Sequence, residues 1–193
     1  MPETAVQKSA GAALESGIAA ALGRRSVVLV GMMGAGKSTV GRRLAARLGL
    51  TFVDADTEIE TAAGMPISEI FARHGEAYFR AGEARVIARL LDGGPQVLAT
   101  GGGAVMDENT RAAIGKHSIS VWLKADAEIL QRRTRRRNDR PLADKIATLL
   151  PQREPFYAQS DITVQSRDEP HEAVVEEIIV ALAGKLGVAE KQS

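Results

Sequence analysis

Residues 27–38 read Val27-Val28-Leu29-Val30-Gly31-Met32-Met33-Gly34-Ala35-Gly36-Lys37-Ser38, and the architecture of the chain can be worked out from them. The first four residues are aliphatic and mostly β-branched, which predicts a strand buried on both faces of a parallel sheet. Residues 31–38 match the pattern G-x-x-x-x-G-K-S/T. Apolar residues then recur at four-residue spacing, predicting a helix from about Lys37 to Gly49. A strand, a glycine-rich loop and a helix in this order are typical of a phosphate-binding loop.

The chemistry of such a loop explains its residue types. Glycines let successive backbone N–H groups turn toward one centre, and the helix N-terminus adds a partial positive charge there. Lys37 can reach the β- and γ-phosphates, and the Ser38 hydroxyl can ligate Mg²⁺. The sequence therefore predicts binding of a nucleoside triphosphate with magnesium. The residues expected to contact the nucleotide here are Gly34, Ala35, Gly36, Lys37, Ser38 and Thr39.

Short apolar runs alternate with helical patterns along the rest of the chain, as in α/β proteins. Residues 57–91 look helical, with breaks at residues 64–66 and near Gly75. We therefore predict one α/β domain over residues 25–187, with a five-stranded parallel sheet flanked by helices in three layers. The predicted strands span residues 27–30, 51–53, 97–100, 118–123 and 161–164.

Composition excludes several classes of protein. The chain has 193 residues, a net charge of +1 and no cysteine, so disulfides and thiolate chemistry are absent and charge gives no pull toward nucleic acid or membranes. No apolar run approaches the roughly 20 residues that span a bilayer. The Ala-rich residues 1–24 lack the features of a signal peptide. We predict that they form a loosely ordered extension, as a frayed or loosely docked helix, and that residues 188–193 form a tail. We expect a cytoplasmic protein.

The ends of the other strands indicate which kind of nucleotide-binding protein this is. The third strand runs into Gly101-Gly102-Gly103 without a carboxylate, whereas the second runs into Asp54 and Asp56. Ligands of open parallel sheets bind at this carboxyl edge. Three glycines leave room there for a second small molecule beside the γ-phosphate, which favours a kinase over a nucleotide switch.

Taken together, the motifs resemble those of the shikimate kinase family over nearly all of residues 25–187. The loop alone is common to many enzymes, but its combination with the other motifs is very specific. The matching segments are Gly31-Met32-Met33-Gly34-Ala35-Gly36-Lys37-Ser38-Thr39, Phe52-Val53-Asp54-Ala55-Asp56, Phe79-Arg80 with Glu83, Ala99-Thr100-Gly101-Gly102-Gly103-Ala104, Asn138-Asp139-Arg140-Pro141-Leu142 and Arg153-Glu154-Pro155-Phe156-Tyr157.

The resemblance implies a P-loop nucleotide kinase fold that phosphorylates a ring hydroxyl of shikimate with ATP and Mg²⁺, giving 3-phosphoshikimate. It places Arg80 and Arg153 on the substrate carboxylate, which suits bidentate guanidinium groups. Asp56 and Gly101–Gly103 would bind the ring hydroxyls, and Glu83 would hold Arg80. The substrate-binding helices would span about residues 57–91.

The resemblance also implies a mobile lid over about residues 134–145. Arg140 would reach the transferring phosphate and Arg133 would lie on the adenine. Six arginines between Arg132 and Arg140 also allow a nucleic-acid patch or a solvated face. No aromatic residue is interleaved to stack on bases, which argues against a nucleic-acid patch. Because the resemblance includes Arg140-Pro141-Leu142, it favours the lid for Arg140 and Arg133, and we assign the run Arg135–Arg137 to solvation.

Two carboxylates keep alternative roles. Asp56 is the candidate general base, but Lys37, Arg140 and magnesium would favour its ionised form. A carboxylate that cations stabilise in this way is a weak base and a poor proton acceptor. Because phosphoryl transfer passes through a loose transition state, early deprotonation gains little. We therefore expect Asp56 mainly to orient the hydroxyl and to take its proton late. Asp54 would hold magnesium through a water, or else cap the helix ahead of Thr57.

Two other functions remain open at this stage. A related small-molecule kinase, such as a gluconate kinase, would not be expected to pair Phe79-Arg80 with the triple glycine and Arg153. A nucleotide-sensing module that has lost its chemistry would be free to lose Lys37, Asp56 or Arg140 as well. We expect a monomer that acts on shikimate, without a nucleic-acid or membrane partner.

Overall fold

The structure, a computed structural model, describes residues 3–135, 145–167 and 170–188. Its centre is a sheet of five parallel strands in the order β2-β3-β1-β4-β5. The predicted parallel α/β fold is thus confirmed, and each predicted strand end lies within one residue of the observed one. The strands are β1 (Ser26–Val30), β2 (Thr51–Asp54), β3 (Gln96–Ala99), β4 (Ser118–Lys124) and β5 (Ile162–Gln165).

Strand β1 lies at the centre of the sheet, where Val28 pairs with Leu98 of β3 and with Ser120 of β4. All residues of β1 and β3 are buried because helices cover both faces of the sheet. This burial explains the continuous apolar run that predicted β1. The helices are α1 (Glu3–Leu22), α2 (Lys37–Leu48), α3 (Ala55–Ala63), α4 (Ile67–Asp92), α5 (Glu108–His117), α6 (Ala127–Arg135), α7 (Ile146–Tyr157) and α8 (His171–Leu186).

Glycines end or bend the helices where the sequence predicted breaks. Gly49 and Gly64 end α2 and α3 in the left-handed conformation, with φ of 64° and 66°. Gly75 bends α4 with φ 81° and ψ 174°, values outside the helical region. The part of α4 after the bend carries Arg80 and Glu83, whose side chains lie beside the glycines that follow β3.

Helix α1 is formed by the Ala-rich N-terminal segment, and its second half packs on the rest of the domain. Leu14, Ile18 and Leu22 are buried, and α1 packs on α8 and α2. Arg47 of α2 also pairs with Glu15 of α1. Four-residue spacing places the three apolar side chains on one helical face, and this face covers the outer layer of the domain.

Most of the predicted lid, including Arg140 and the arginines at positions 136 and 137, lies outside the described residues. Arg135, at the end of α6, is exposed, as expected for a solvated side chain. Across residues 3–135, 145–167 and 170–188, no helix is both long enough and apolar enough to span a bilayer.

Candidate functional site

The glycine-rich loop joins β1 to α2 and adopts the conformation that its glycines predict. Gly31, Gly34 and Gly36 have φ values of 136°, 84° and 92°, which side chains with a Cβ rarely adopt. The first bond of α2 runs from the Val40 N–H to the Gly36 carbonyl, at 2.9 Å. The N–H groups of residues 37–39 therefore precede that bond at the helix N-terminus, where anions are favoured.

Lys37 reaches back over this loop. Its side chain is 9% exposed, and its Nζ donates hydrogen bonds to the carbonyls of Gly31 at 2.7 Å and Met32 at 3.0 Å. The long aliphatic stem is thereby packed within the loop while the ammonium group lies beside its backbone. A buried positive charge at a helix N-terminus is well suited to a polyphosphate.

Ser38, in the first turn of α2, and Asp54, at the end of β2, bring two oxygens together. The Ser38 hydroxyl donates to Asp54 Oδ2 at 2.7 Å, while Asp54 Oδ1 accepts from the Asp56 N–H at 3.1 Å and caps α3. Asp54 thus combines the capping contact with a position beside Ser38. Hydroxyl and carboxylate oxygens are hard donors that fit Mg²⁺. Within the described residues no group of three or more His, Asp or Glu side chains is arranged to hold a metal ion, and Mg²⁺ usually keeps several waters.

The triple glycine after β3 is surrounded by charged side chains from three helices. A Cβ at Gly101 would lie 2.9 Å from both Asp56 Oδ1 and Glu83 Oε1, and one at Gly102 would lie 3.4 Å from Arg153 Nη1. The same position on Gly102 lies 3.3 Å from the Met33 backbone nitrogen, so this surface borders the phosphate loop. Only glycines leave the space that these groups enclose.

Arg80 lies over the third glycine of this run. Its Nη1 donates to Glu83 Oε2 at 2.6 Å, and its Nη2 to Glu76 Oε1 at 3.4 Å. Glu83 is only 2% exposed, and burial raises the pKa of its carboxyl group, although the neighbouring Arg80 opposes this rise. Arg80 is therefore held in one orientation against Gly103 by its acidic partners.

Arg153 extends from α7 into the same space. It is 7% exposed, which is unusual for arginine, and its Nη1 lies 3.7 Å from Met32 Sδ. The neighbouring Tyr157 hydroxyl donates to the Gly102 carbonyl. Burial raises the pKa of Tyr157 to about 12, so this hydroxyl keeps its proton at neutral pH. Tyr157 was part of a quoted motif, but nothing in the sequence indicated its contact with Gly102.

Arg133, on α6, lies against the phosphate loop at Gly34. Its Nη1 donates to the Ser166 hydroxyl at 3.0 Å and to the Gly34 carbonyl at 3.4 Å. His171, at the start of α8, lies beside Gly36, with its Cε1 3.6 Å from the position of a Cβ there. Burial and the nearby Arg43 lower the pKa of His171. Sequence reasoning missed Ser166 and His171, because neither belongs to a motif.

Gly103→Ala is expected to impair the acceptor site while leaving the fold intact. The new Cβ would lie 2.7 Å from Arg80 Cζ, and the end of a flexible side chain can move away at little cost in stability. The guanidinium would then leave its position, and kcat/KM for the acceptor should fall on the order of tenfold. Steady-state kinetics and thermal unfolding measure the two effects.

Gly115→Ala is the matched control, since nothing lies within 4 Å of a Cβ at this position in α5. Unchanged kinetics are expected for this variant. A Gly103→Ala protein with wild-type kcat/KM would show that the space over the third glycine is not used.

Comparisons with known proteins agree with this geometry. The family model for shikimate kinase matches residues 33–183. A shikimate kinase from Nitrobacter winogradskyi is 63% identical over 190 residues, covering 95% of this chain and 89% of the relative. One from Rhodopseudomonas palustris is 58% identical over 199 residues, covering 100% of this chain and 98% of the relative.

Solved structures give the same result. The shikimate kinase from Acinetobacter baumannii in complex with shikimate superposes with a TM-score of 0.80 at 36% identity, covering 84% of this chain and 94% of that chain. A gluconokinase from Sinorhizobium meliloti has a TM-score of 0.61 at 21% identity, a likeness of fold alone. The match to the family model and the identity of these relatives over most of their length lead to one conclusion: this chain belongs to the shikimate kinase family.

Proposed function

We propose that this chain transfers the γ-phosphoryl group of ATP to a ring hydroxyl of shikimate, giving 3-phosphoshikimate and ADP in the pathway to chorismate and the aromatic amino acids. The observation that carries this proposal is the enclosure of the triple glycine by Asp56, Arg80 and Arg153, directly beside the phosphate loop. An acceptor with one carboxylate and several hydroxyls suits such a site.

Protein groups of opposite charge would hold the acceptor at its two ends, the arginines at one end and Asp56 at the other. Arg80 and Arg153 present guanidinium groups at neighbouring glycines, and both can bind the shikimate carboxylate through paired hydrogen bonds. Asp56 lies at the first glycine, beside the capping carboxylate of Asp54. A ring that places its carboxylate on the arginines would direct its hydroxyls toward Asp56 and the backbone of residues 101–103.

The donor would lie along the phosphate loop. The N–H groups of Gly34 and of residues 36–39 and the Lys37 ammonium would bind the phosphates, with Ala35 as part of the loop backbone and with Ser38 and Asp54 holding Mg²⁺. Mg²⁺ held by Ser38 and Asp54 would supply positive charge near the phosphate oxygens. Arg133 would contact the adenine, and Arg140 would neutralise the transferring group; Arg140 lies outside the described residues, so its assignment rests on the family resemblance.

Asp56→Asn is expected to lower kcat by about 10–100-fold without changing the pH profile of the remaining activity. The amide still accepts a hydrogen bond through its oxygen, so the hydroxyl stays partly oriented. The lost factor reflects late proton transfer and the missing charge. The measurement is kcat against pH for both proteins. If the substitution abolished an acidic limb present in the wild type, Asp56 would instead be a general base.

The proposed reaction is tested by coupled ADP release with shikimate, with gluconate and without acceptor. ADP release that depends on shikimate supports the proposal. Equal release without acceptor would contradict it, and retained ATP binding with no release would indicate a nucleotide sensor. Deoxy analogues of shikimate sharpen the test. A site that binds each hydroxyl can lower kcat/KM for an analogue that lacks one of them by about 10⁴–10⁵-fold.

We further propose a monomeric, cytoplasmic enzyme. Asp56, Arg80 and Arg153 of a single chain already supply charged groups at the triple glycine, which supports a monomer. Light scattering should then give a mass near 20.5 kDa. A dimer mass that persists on dilution would contradict the monomer.

A further inference from the structure

Ser166 is a buried polar residue outside every motif, located where β5 leaves the sheet. It is 0% exposed, and its N–H donates to the Lys124 carbonyl at 2.6 Å, which extends the pairing between β4 and β5 by one residue. Its hydroxyl donates to the Ala35 carbonyl at 2.9 Å and accepts from Arg133 Nη1 at 3.0 Å. One hydroxyl thus joins the phosphate loop, α6 and the end of β5.

The bond to Ala35 has a direct consequence for the loop. The peptide unit between Ala35 and Gly36 is planar and trans, so its carbonyl and its N–H point in opposite directions. When Ser166 holds the Ala35 carbonyl toward the outside of the loop, the Gly36 N–H must point toward the inside. Gly36, with φ 92°, lacks the side-chain restraint that would otherwise limit rotation of this peptide.

Arg133 supports the same arrangement one residue earlier. Its Nη1 also donates to the Gly34 carbonyl at 3.4 Å, and the following Ala35 N–H is bonded to the Met32 carbonyl at 3.2 Å. The hydroxyl of Ser166 has one proton to donate and accepts through its lone pairs, so both of its contacts can form together. The carbonyls of Gly34 and Ala35 are therefore both held by side chains from outside the loop, those of Arg133 and Ser166.

We propose that Ser166 is a positioning residue for the nucleotide, which fixes the Gly36 N–H toward the phosphates and holds Arg133 against the loop. This proposal rests on the proposed function, in that ATP must bind at residues 31–38. Ser166 touches neither substrate in this view and acts only through Ala35 and Arg133. Its removal should therefore affect ATP binding and leave the binding of the acceptor unchanged.

Ser166→Ala is expected to raise KM and Kd for ATP about 3- to 10-fold, the range that corresponds to one net hydrogen bond. KM for shikimate and kcat at saturating ATP should change less than twofold. A second variant, Ser166→Cys, nearly keeps the volume of the side chain, but its S–H is a weak donor. It should raise Kd for ATP as well, and it tests the hydroxyl separately from packing.

Ser118→Ala is the matched control. Ser118 is 6% exposed, and its hydroxyl donates to the Ile114 carbonyl at 2.7 Å. It begins β4 and therefore lies at the amino ends of the strands, away from the phosphate loop at their carboxyl ends. Its loss should lower the unfolding temperature without changing Kd for ATP. A double-mutant cycle with Arg133→Met adds a second readout, because Ser166→Ala should cost less affinity once Arg133 is absent.

Three results would overturn the proposal. The first is an unchanged Kd for ATP in both Ser166 variants when they are folded. The second is a Kd for ATP that rises as much in Ser118→Ala as in Ser166→Ala. The third is a KM for shikimate that rises in Ser166→Ala as much as the KM for ATP. Failure of the proposed function looks different. In that case wild-type protein itself would bind no ATP, or would release ADP regardless of shikimate.

Discussion

Lys37→Met is expected to lower kcat by about 10²–10³-fold, the usual cost of removing one preorganised group from developing charge. Methionine nearly keeps the length of the side chain and its packing, but it has neither the positive charge nor the donors. In the structure, Lys37 Nζ donates to the carbonyls of Gly31 and Met32, so the ammonium is fixed within the phosphate loop. Steady-state kinetics with saturating shikimate measure the effect.

The loss in kcat should exceed the loss in ATP affinity. The N–H groups at the start of α2 and the helix dipole remain in the variant, and these bind the ground-state phosphates. The charge on the transferring group and on the leaving oxygen changes most during the reaction. The loss of the ammonium therefore destabilises the transition state more than it destabilises bound ATP. The control is Lys116→Met, which removes an exposed lysine from the last turn of α5. Nearly wild-type kcat in the Lys37 variant would contradict the assignment.

Arg153→Met should lower kcat/KM for shikimate by about 10²–10³-fold, because the substrate carboxylate would enter a largely buried site without its partner. Arg153→Lys should recover only part of this loss, since an ammonium cannot form the paired hydrogen bonds of a guanidinium. KM for ATP should stay within about twofold of the wild type. Varying each substrate at saturation of the other separates these parameters.

The stability of this variant is not expected to fall. Arg153 is 7% exposed and contacts Met32 Sδ and the Tyr157 hydroxyl, with the Glu83 carboxyl nearby. These groups offset only part of the cost of dehydrating a guanidinium. Arg153→Met should therefore unfold at the same temperature as the wild type or higher. The control is Arg73→Met, at an exposed side chain that pairs with Glu69. It should change neither kcat/KM for shikimate nor the unfolding temperature. A less stable variant with normal kcat/KM for shikimate would show that Arg153 serves the fold.

Much of the fold follows from local patterns. The buried run at β1, the glycines that end α2 and α3, and the bend at Gly75 each leave a signal within a few residues. Helix α1 was harder to interpret, because Leu14, Ile18 and Leu22 are embedded among alanines and the face that they cover belongs to α8. A stripe of three residues indicates a docked helix only when the partner surface is known.

The candidate site divides in a similar way. The phosphate loop is one continuous segment, and its function can be predicted from sequence alone because a strand precedes it and a helix follows it. For the acceptor side, resemblance to the family supplied Arg80 and Arg153, whereas charge by itself would have favoured solvated arginines. Asp54 was left with two alternative roles, and the structure shows its two oxygens making separate contacts, one with Ser38 and one with the Asp56 N–H.

The amino-acid order alone thus specified a parallel sheet with a nucleotide loop at its centre, because backbone conformation and periodic burial are local properties. Tertiary packing established the rest. Arg80 and Arg153 meet at the triple glycine from two different helices, with Asp56 beside them. Ser166 reaches Ala35 across 131 residues of sequence. Such contacts depend on distances between elements that the sheet brings together, and no pattern within one segment encodes them.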